Sequence, residues 1–186
     1  IISLLASDGT TVRFYNEIKA SGGMKDVYFS PDRSYVVAFF RDRNNAATKE
    51  RLAMITGQYR ERIFNQPNGD YWQSLYCWPT ATVEHQGRCG VVVPFYASNF
   101  FFEHGSQQND MLGIKGKEKE GKWFASPSNR QRFLDARELG DWLNHLKICL
   151  MIARSVRRLH AAGLAHSDLS YKNVLVDPVT GRACLI

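Results

Sequence analysis

Apolar and polar positions alternate through most of residues 1–40, and the apolar ones are mainly β-branched or aromatic. A period of two places successive side chains on opposite faces of a strand. Turn signals at Asp8-Gly9, Ser21-Gly22-Gly23 and Ser30-Pro31-Asp32 divide the region. The pattern predicts three antiparallel strands, Thr11–Ile18, Lys25–Phe29 and Tyr35–Phe40, and the opening Ile1-Ile2-Ser3-Leu4-Leu5 also reads as a strand. Over residues 46–64 the period lengthens: Leu52, Ile55, Tyr59 and Ile63 recur at three- and four-residue steps, which predicts a helix. A turn at Asn68-Gly69 follows, then strands near Ala81–Glu84 and over Cys89–Phe95.

Residues 103–131 break the pattern. They carry a mixed charged run from Lys115 to Lys122 and a Ser126-Pro127-Ser128 segment, and they read as a long loop or insertion with little core and a solvated surface. Helical spacing returns at about 138–162, where Leu139, Leu143, Leu146, Leu150, Ala153, Val156 and Leu159 or His160 line one face and Gly163 supplies a stop. A loop over 164–173 leads to a hairpin, Val174–Val176 with Ala183–Ile186, around Asp177-Pro178-Val179-Thr180-Gly181. Strands first and helices later make this an α+β chain.

Composition narrows the picture only slightly. In 186 residues, 44% hydrophobic and 23% charged, there is room for one domain, or for a small lobe plus part of a second. The net charge of +6 suits an anionic ligand or partner without choosing one. No basic stripe interleaved with aromatics appears, so nucleic acid is not expected. Cys77, Cys89, Cys149 and Cys184 share no zinc-like spacing, which favours reduced thiols and a cytoplasmic setting. No apolar run approaches the roughly 20 residues that span a bilayer, so no membrane partner is expected. The chain opens on Ile1 rather than Met, which suggests a segment of a longer protein.

The run that carries chemistry is His166-Ser167-Asp168-Leu169-Ser170-Tyr171-Lys172-Asn173, followed at once by Val174-Leu175-Val176-Asp177. It lies between a long amphipathic helix and a hairpin. In sequence and setting it resembles the catalytic loop of the protein-kinase family, H-R-D-L-x-x-x-N, with Ser167 in the arginine place. The resemblance implies a kinase-like fold: an antiparallel β N-lobe with one helix over 1–96, a hinge and long insertion over 97–137, and the beginning of a helical C-lobe over 138–186. It implies ATP and Mg2+ as cofactors. Phosphoryl transfer needs a carboxylate to orient the attacking hydroxyl and an oxygen ligand for magnesium, which would be Asp168 and Asn173. Lys172 would act on the moving phosphate as a point charge. A second metal-binding acid would follow Ile186, in a DFG-type motif, so these 186 residues alone would be inactive.

The same resemblance assigns the nucleotide end. The glycine-rich turn Ser21-Gly22-Gly23 would bring backbone N–H groups to phosphate. Val27, Ala38, Val93 and Phe95 would meet the nucleotide. The third strand should carry a lysine, but Val37-Ala38-Phe39-Phe40 places Phe40 there. The with-no-lysine kinases are similar, with a lysine on the glycine-rich strand instead. Lys25 is that candidate, because strands about 4.8 Å apart let it serve the same face. Arg41 is the rival, although adjacent strand residues point to opposite faces. Glu61 or Glu50 would hold the lysine.

Three functions stay open: a bacterial-type Ser/Thr protein kinase with a protein substrate, a small-molecule kinase of the aminoglycoside or choline type, and a pseudokinase-like binding module. Ser170 stands where Ser/Thr kinases carry a lysine, and Lys172 stands where tyrosine kinases often carry arginine. Ser167 removes the arginine that would hold an activation-loop phosphate, so control by a regulatory protein partner is expected instead.

Overall fold

The computed structural model describes residues 1–42 and 46–186. Its elements, in order, begin with β1 (Ile2–Leu5), β2 (Thr11–Phe14), β3 (Ala20–Ser21), β4 (Lys25–Phe29) and β5 (Tyr35–Phe40). A helical stretch follows: α1 (Ala46–Met54), a π-helical turn over Ile55–Tyr59, α2 (Arg60–Phe64) and, after a break, α3 (Gly69–Gln73). Next are β6 (Ala81–His85) and β7 (Arg88–Pro94). The later part holds α4 (Gln107–Asp110), α5 (Gly121–Ala125), α6 (Pro127–Phe133), α7 (Trp142–Ala161), β8 (Val174–Asp177) and β9 (Arg182–Leu185). The architecture is α+β, as the alternation followed by helical periods requires.

The chain forms two units, one of Ile1–Gly69 with Cys77–Phe95, the other of Asp70–Tyr76 with Tyr96–Ile186. The first is built on an antiparallel sheet in the order β3-β4-β5-β7-β6. The strand read over Thr11–Ile18 is shorter, ending at Phe14: β2 pairs with β1 in a separate ribbon, and the short β3, which lies beyond Ile18, joins the main sheet. Alternation sorts the side chains. Val37, Phe39, Val83 and Val92 meet Val12 and Phe14 in one cluster. Ala38, Leu52, Cys89 and Val91 form another, with Val27, Phe40 and Val93 packed against it. Gly90 is dictated by this packing, since a Cβ there would lie 2.7 Å from the Phe39 ring. The predicted helix over 46–64 is interrupted by its π turn, and the Trp78 indole N–H donates to the Ile55 carbonyl at 2.9 Å.

The second unit centres on α7 and the β8-β9 hairpin. Tyr76 donates its hydroxyl to the Ser155 carbonyl at 2.7 Å, and Leu185 N–H donates to Leu75 O at 2.9 Å. Two expectations are overturned here. On α7 the expected face is exposed at Leu143, Leu146 and Leu150 and buried at Leu159, while the other buried positions, His145, Ile148 and Ser155, lie off it. A one-residue rotation of the buried arc suffices, because a helical period assigns a stripe but not what covers it.

The segment 103–131 is also not a coreless loop. Ser106 and Lys119 are buried within it, as are the flanking Phe102, Leu134 and Glu138. Its α4 is a left-handed turn, with positive φ at Gln108, Asn109 and Asp110. The Asp110 carboxylate accepts from Ser106, Ile114 and Lys115 N–H groups, each at 3.0 Å, which offsets that backbone cost. Those bonds, with Ser106 foremost, hold the Asp110 carboxyl down at about 2.

Candidate active site

The loop after α7 begins with a helix stop. Gly163 has φ +84°, a left-handed conformation glycine adopts without a Cβ clash, and Leu164 N–H reaches back to Leu159 O at 2.9 Å. His166 Nε2 lies 3.2 Å from the Ile186 carbonyl. A carbonyl only accepts, so the proton sits on Nε2, and the buried Nδ1 has no hydrogen-bond partner among the described residues. Ser167 follows at φ +45°, an uncommon conformation for a residue with a Cβ.

Asp168 and Asn173 meet across the loop. The Asn173 Nδ2 group donates to Asp168 O at 2.8 Å and to Asp168 Oδ2 at 2.9 Å. Asn173 N–H donates to Ser170 O at 3.0 Å, and Ile186 N–H donates to Asn173 O, also at 3.0 Å. Ile186 thereby links Asn173 to His166. The Asp168 carboxylate stays exposed, and the Asn173 amide, with its N–H end committed, keeps Oδ1 as its lone-pair end. An amide oxygen is a hard donor that suits Mg2+, which is usually held by one or two protein oxygens plus substrate phosphate. Lys172 is exposed, its Nζ 6.0 Å from the Tyr171 ring centroid.

In the first unit, Lys25 stands directly opposite Phe40 in the β4-β5 register. Directly opposed residues share a face. The ammonium lies over the Phe40 ring, 4.6 Å from its centroid. Burial pushes the Lys25 pKa below its usual value. The same face carries Val27, Ala38 and Val93 in the second cluster, while Phe95 packs edge-on against Phe29 at 5.4 Å. The structure therefore assembles Lys25, Val27, Ala38 and Val93 on one face of the sheet.

Other expected parts are not assembled. Among the described residues neither Glu50 nor Glu61 pairs with Lys25, and both side chains are exposed. Ile63 and Phe64 take the buried arc of α2, which turns Glu61 outward. In the glycine turn, Gly22 N–H is used by Lys25 O at 2.9 Å, closing a tight hairpin.

Arg41 is engaged elsewhere. Asp26 accepts from Arg41 Nε at 2.9 Å, Arg88 Nη2 at 2.7 Å and the Ser21 hydroxyl at 2.9 Å, and Arg41 also bonds the Ser21 hydroxyl. These donors, Arg41 foremost, hold the Asp26 carboxyl at about 2. This cluster was not legible from residue types; only the alternation placing Asp26 opposite Lys25 in facing hints at it.

No family model matches the sequence, and no curated protein matches it. Solved structures do match. The structure of vaccinia related kinase 3 aligns with a TM-score of 0.55 at 9% identity, covering 99% of this chain and 49% of that one. Rad53 residues 1–466, in complex with AMP-PNP, gives 0.55 at 12%, with 94% and 37% covered. The Mycobacterium tuberculosis PknI kinase domain gives 0.52 at 15%, with 100% and 59% covered. The fold is kinase-like.

At these identities the likeness is one of fold alone, and the chain spans between about a third and three-fifths of the length of these kinase structures. In kinase-like terms, the Asp168–Asn173 loop occupies the helix–loop–hairpin setting its sequence implied. Among the described residues no three His, Cys, Asp or Glu side chains gather as a metal cage, and no helix is long and apolar enough to cross a membrane.

Proposed function

We propose that the protein to which this chain belongs is a cytoplasmic, ATP-dependent phosphotransferase that moves the γ-phosphoryl group to a protein serine or threonine hydroxyl. One observation carries the reading: the Asn173 amide holds the Asp168 carboxylate on a short loop between a long helix and a hairpin, in a kinase-like fold. Asp168 orients the hydroxyl and takes its proton. Asn173 Oδ1 is the oxygen this loop offers to Mg2+, which when bound would neutralise developing phosphate charge. Lys172 is exposed and free to approach the transferred group as a point charge. Lys25 supplies the phosphate charge that Phe40 cannot, above the apolar face of Val27, Ala38 and Val93 that suits a base. The AMP-PNP bound by Rad53 is consistent with nucleotide as the ligand of this fold. With Ser167 in the arginine place, regulation falls to a protein partner rather than to an activation-loop phosphate.

A pseudokinase-like binding module is the second reading. It is favoured by the lack of a carboxylate partner for Lys25 among the described residues. Radiolabelled ATP given to the full-length protein with a mixture of protein substrates, an aminoglycoside and choline separates the two. Transfer to protein, reduced about 10²–10⁴-fold in Asp168→Asn, is the expected result. Nucleotide binding with no transfer, equal in both proteins, would establish the module instead, and label found only on an amino sugar or choline would make it a small-molecule kinase.

A further inference from the structure

Lys119 lies in the charged run that reads as solvated surface, yet it is only 5% exposed. Its ammonium sits 3.0 Å from Glu138 Oε2 and 3.4 Å from Asp177 Oδ1. Both carboxylates are otherwise satisfied. Glu138 Oε1 accepts His104 N–H at 2.6 Å; Asp177 accepts the Asn99 amide at 3.2 Å, Val179 N–H at 3.2 Å and the Thr180 hydroxyl. The cluster borders a cleft of about 610 Å³. Its polar groups find partners among the described residues.

The backbone around Lys119 is tied to the hairpin that continues the catalytic loop. Val176 N–H donates to Lys119 O at 2.8 Å, and Glu120 bridges Leu175. On its other side Lys119 N–H donates to Phe100 O at 2.8 Å. Gly121 packs so closely that a Cβ would lie 3.3 Å from Tyr171 O and 3.4 Å from Val174 O. These contacts flank Asn173 on both sides in sequence, and β8 starts at the residue after it.

We propose that residues 117–121 form a strap, pinned by Lys119, that fixes the position of Asn173, and hence that Lys119 is a positioning residue for the metal-ligating end of the loop. The consequence for catalysis rests on the function proposed above; the mechanical coupling does not. A buried ammonium between two carboxylates cannot be removed without leaving uncompensated charge, so the pin is strong and its loss is felt along β8.

Hydrogen exchange on the full-length protein, without nucleotide or metal, tests the coupling. In Lys119→Met the amides of Asn173–Val176 should exchange at least 10-fold faster, while those of β4 and β5 stay unchanged, and Lys119→Arg should restore much of the protection. Gly121→Ala perturbs the same contact without altering charge, and serves if Lys119→Met does not fold; it should also accelerate exchange over Tyr171–Val176. In the active protein both variants should raise the Mg2+ concentration for half-maximal transfer about 5–10-fold with the KM for ATP unchanged. Exchange at Asn173–Val176 equal to wild type in Gly121→Ala, or in a folded Lys119→Met, would overturn the strap. Faster exchange with an unchanged Mg2+ requirement would overturn its role in positioning Asn173. A wild-type protein that transfers no phosphate would overturn the proposed function, while the exchange result would still decide the strap.

Discussion

The Asp168–Asn173 loop and the Lys25 face reach their geometry by different routes. The loop is assembled by residues within one short run: Asp168, Ser170 and Asn173 bond to one another, and His166 and Asn173 both close on Ile186. The Lys25 face depends on strand register, which pairs Lys25 with Phe40 and Val27 with Ala38. The loop's carboxylate has its amide partner, whereas the lysine rests over an aromatic ring with no carboxylate paired to it among the described residues. A site made by a contiguous motif can be complete in a short stretch of chain. A site made by register needs each neighbouring strand and helix to bring its own part, and here the helix has not brought a glutamate.

The largest effect that could break this comparison is at Lys25. Lys25→Met should reduce phosphoryl transfer by at least about 10²-fold, because a charge-assisted contact of roughly 1.5–3 kcal/mol to each phosphate oxygen is lost. Arg41→Met should leave transfer within a few-fold, since Arg41 serves Asp26 and Ser21. Reversal of that order, measured by steady-state kinetics on the full-length protein, would assign the phosphate charge to Arg41. The register sharpens the test. Phe40 is the cross-strand partner of Lys25 on the same face, so Lys25→Met with Phe40→Lys should recover part of the lost activity. No recovery would mean that position 40 does not address the phosphate.

Lys25 also carries a pH signature. Burial lowers its folded pKa below the usual 10.5. The unfolded chain therefore binds the proton more tightly, and stability rises with pH across that interval. The gain is complete above 10.5 and is lost as pH falls through the lowered folded value. Melting temperatures of the nucleotide-free protein should show this slope on the alkaline side, and Lys25→Met should flatten it. An identical slope in the variant would show that the ammonium is as well solvated in the folded protein as in the unfolded chain.

The same contrast explains what could be read from the residues. The helix stop at Gly163, the H-x-D-x-x-x-x-N run and the turn at Asp177–Gly181 are local signals whose partners lie nearby, and each specifies its own conformation. Lys25 facing the place of Phe40 was also legible, because strand spacing and alternation are fixed quantities. Lys119 was not. A lysine among Lys115, Lys117 and Lys122 reads as solvated, and its burial is decided by Glu138 and Asp177, the latter 58 residues away. The outward turn of Glu61 was hidden for a related reason: the π turn over Ile55–Tyr59 resets the helical phase before it. The exposed Leu143, Leu146 and Leu150 show that an apolar stripe records a face suited to burial without recording its cover.

The smallest expected effect concerns the loop's own strain. Ser167 occupies the arginine place at φ +45°, between His166 and Asp168. A non-glycine residue in the left-handed region costs about 1 kcal/mol that glycine does not. If the loop holds this conformation in the working enzyme, Ser167→Gly relieves the strain without moving Asp168 or Asn173. Stability to urea should then rise by roughly 0.5–1 kcal/mol, less the extra backbone entropy glycine brings to the unfolded chain, with kcat changed less than about twofold. Ser167→Val, branched at Cβ and poorly suited to positive φ, should lower stability by about 1–2 kcal/mol and reduce kcat as the turn before Asp168 shifts. Equal stability for all three proteins would mean that the left-handed turn is not retained in solution, and local conformation within the run could then no longer be set against strand register as the source of the site's geometry.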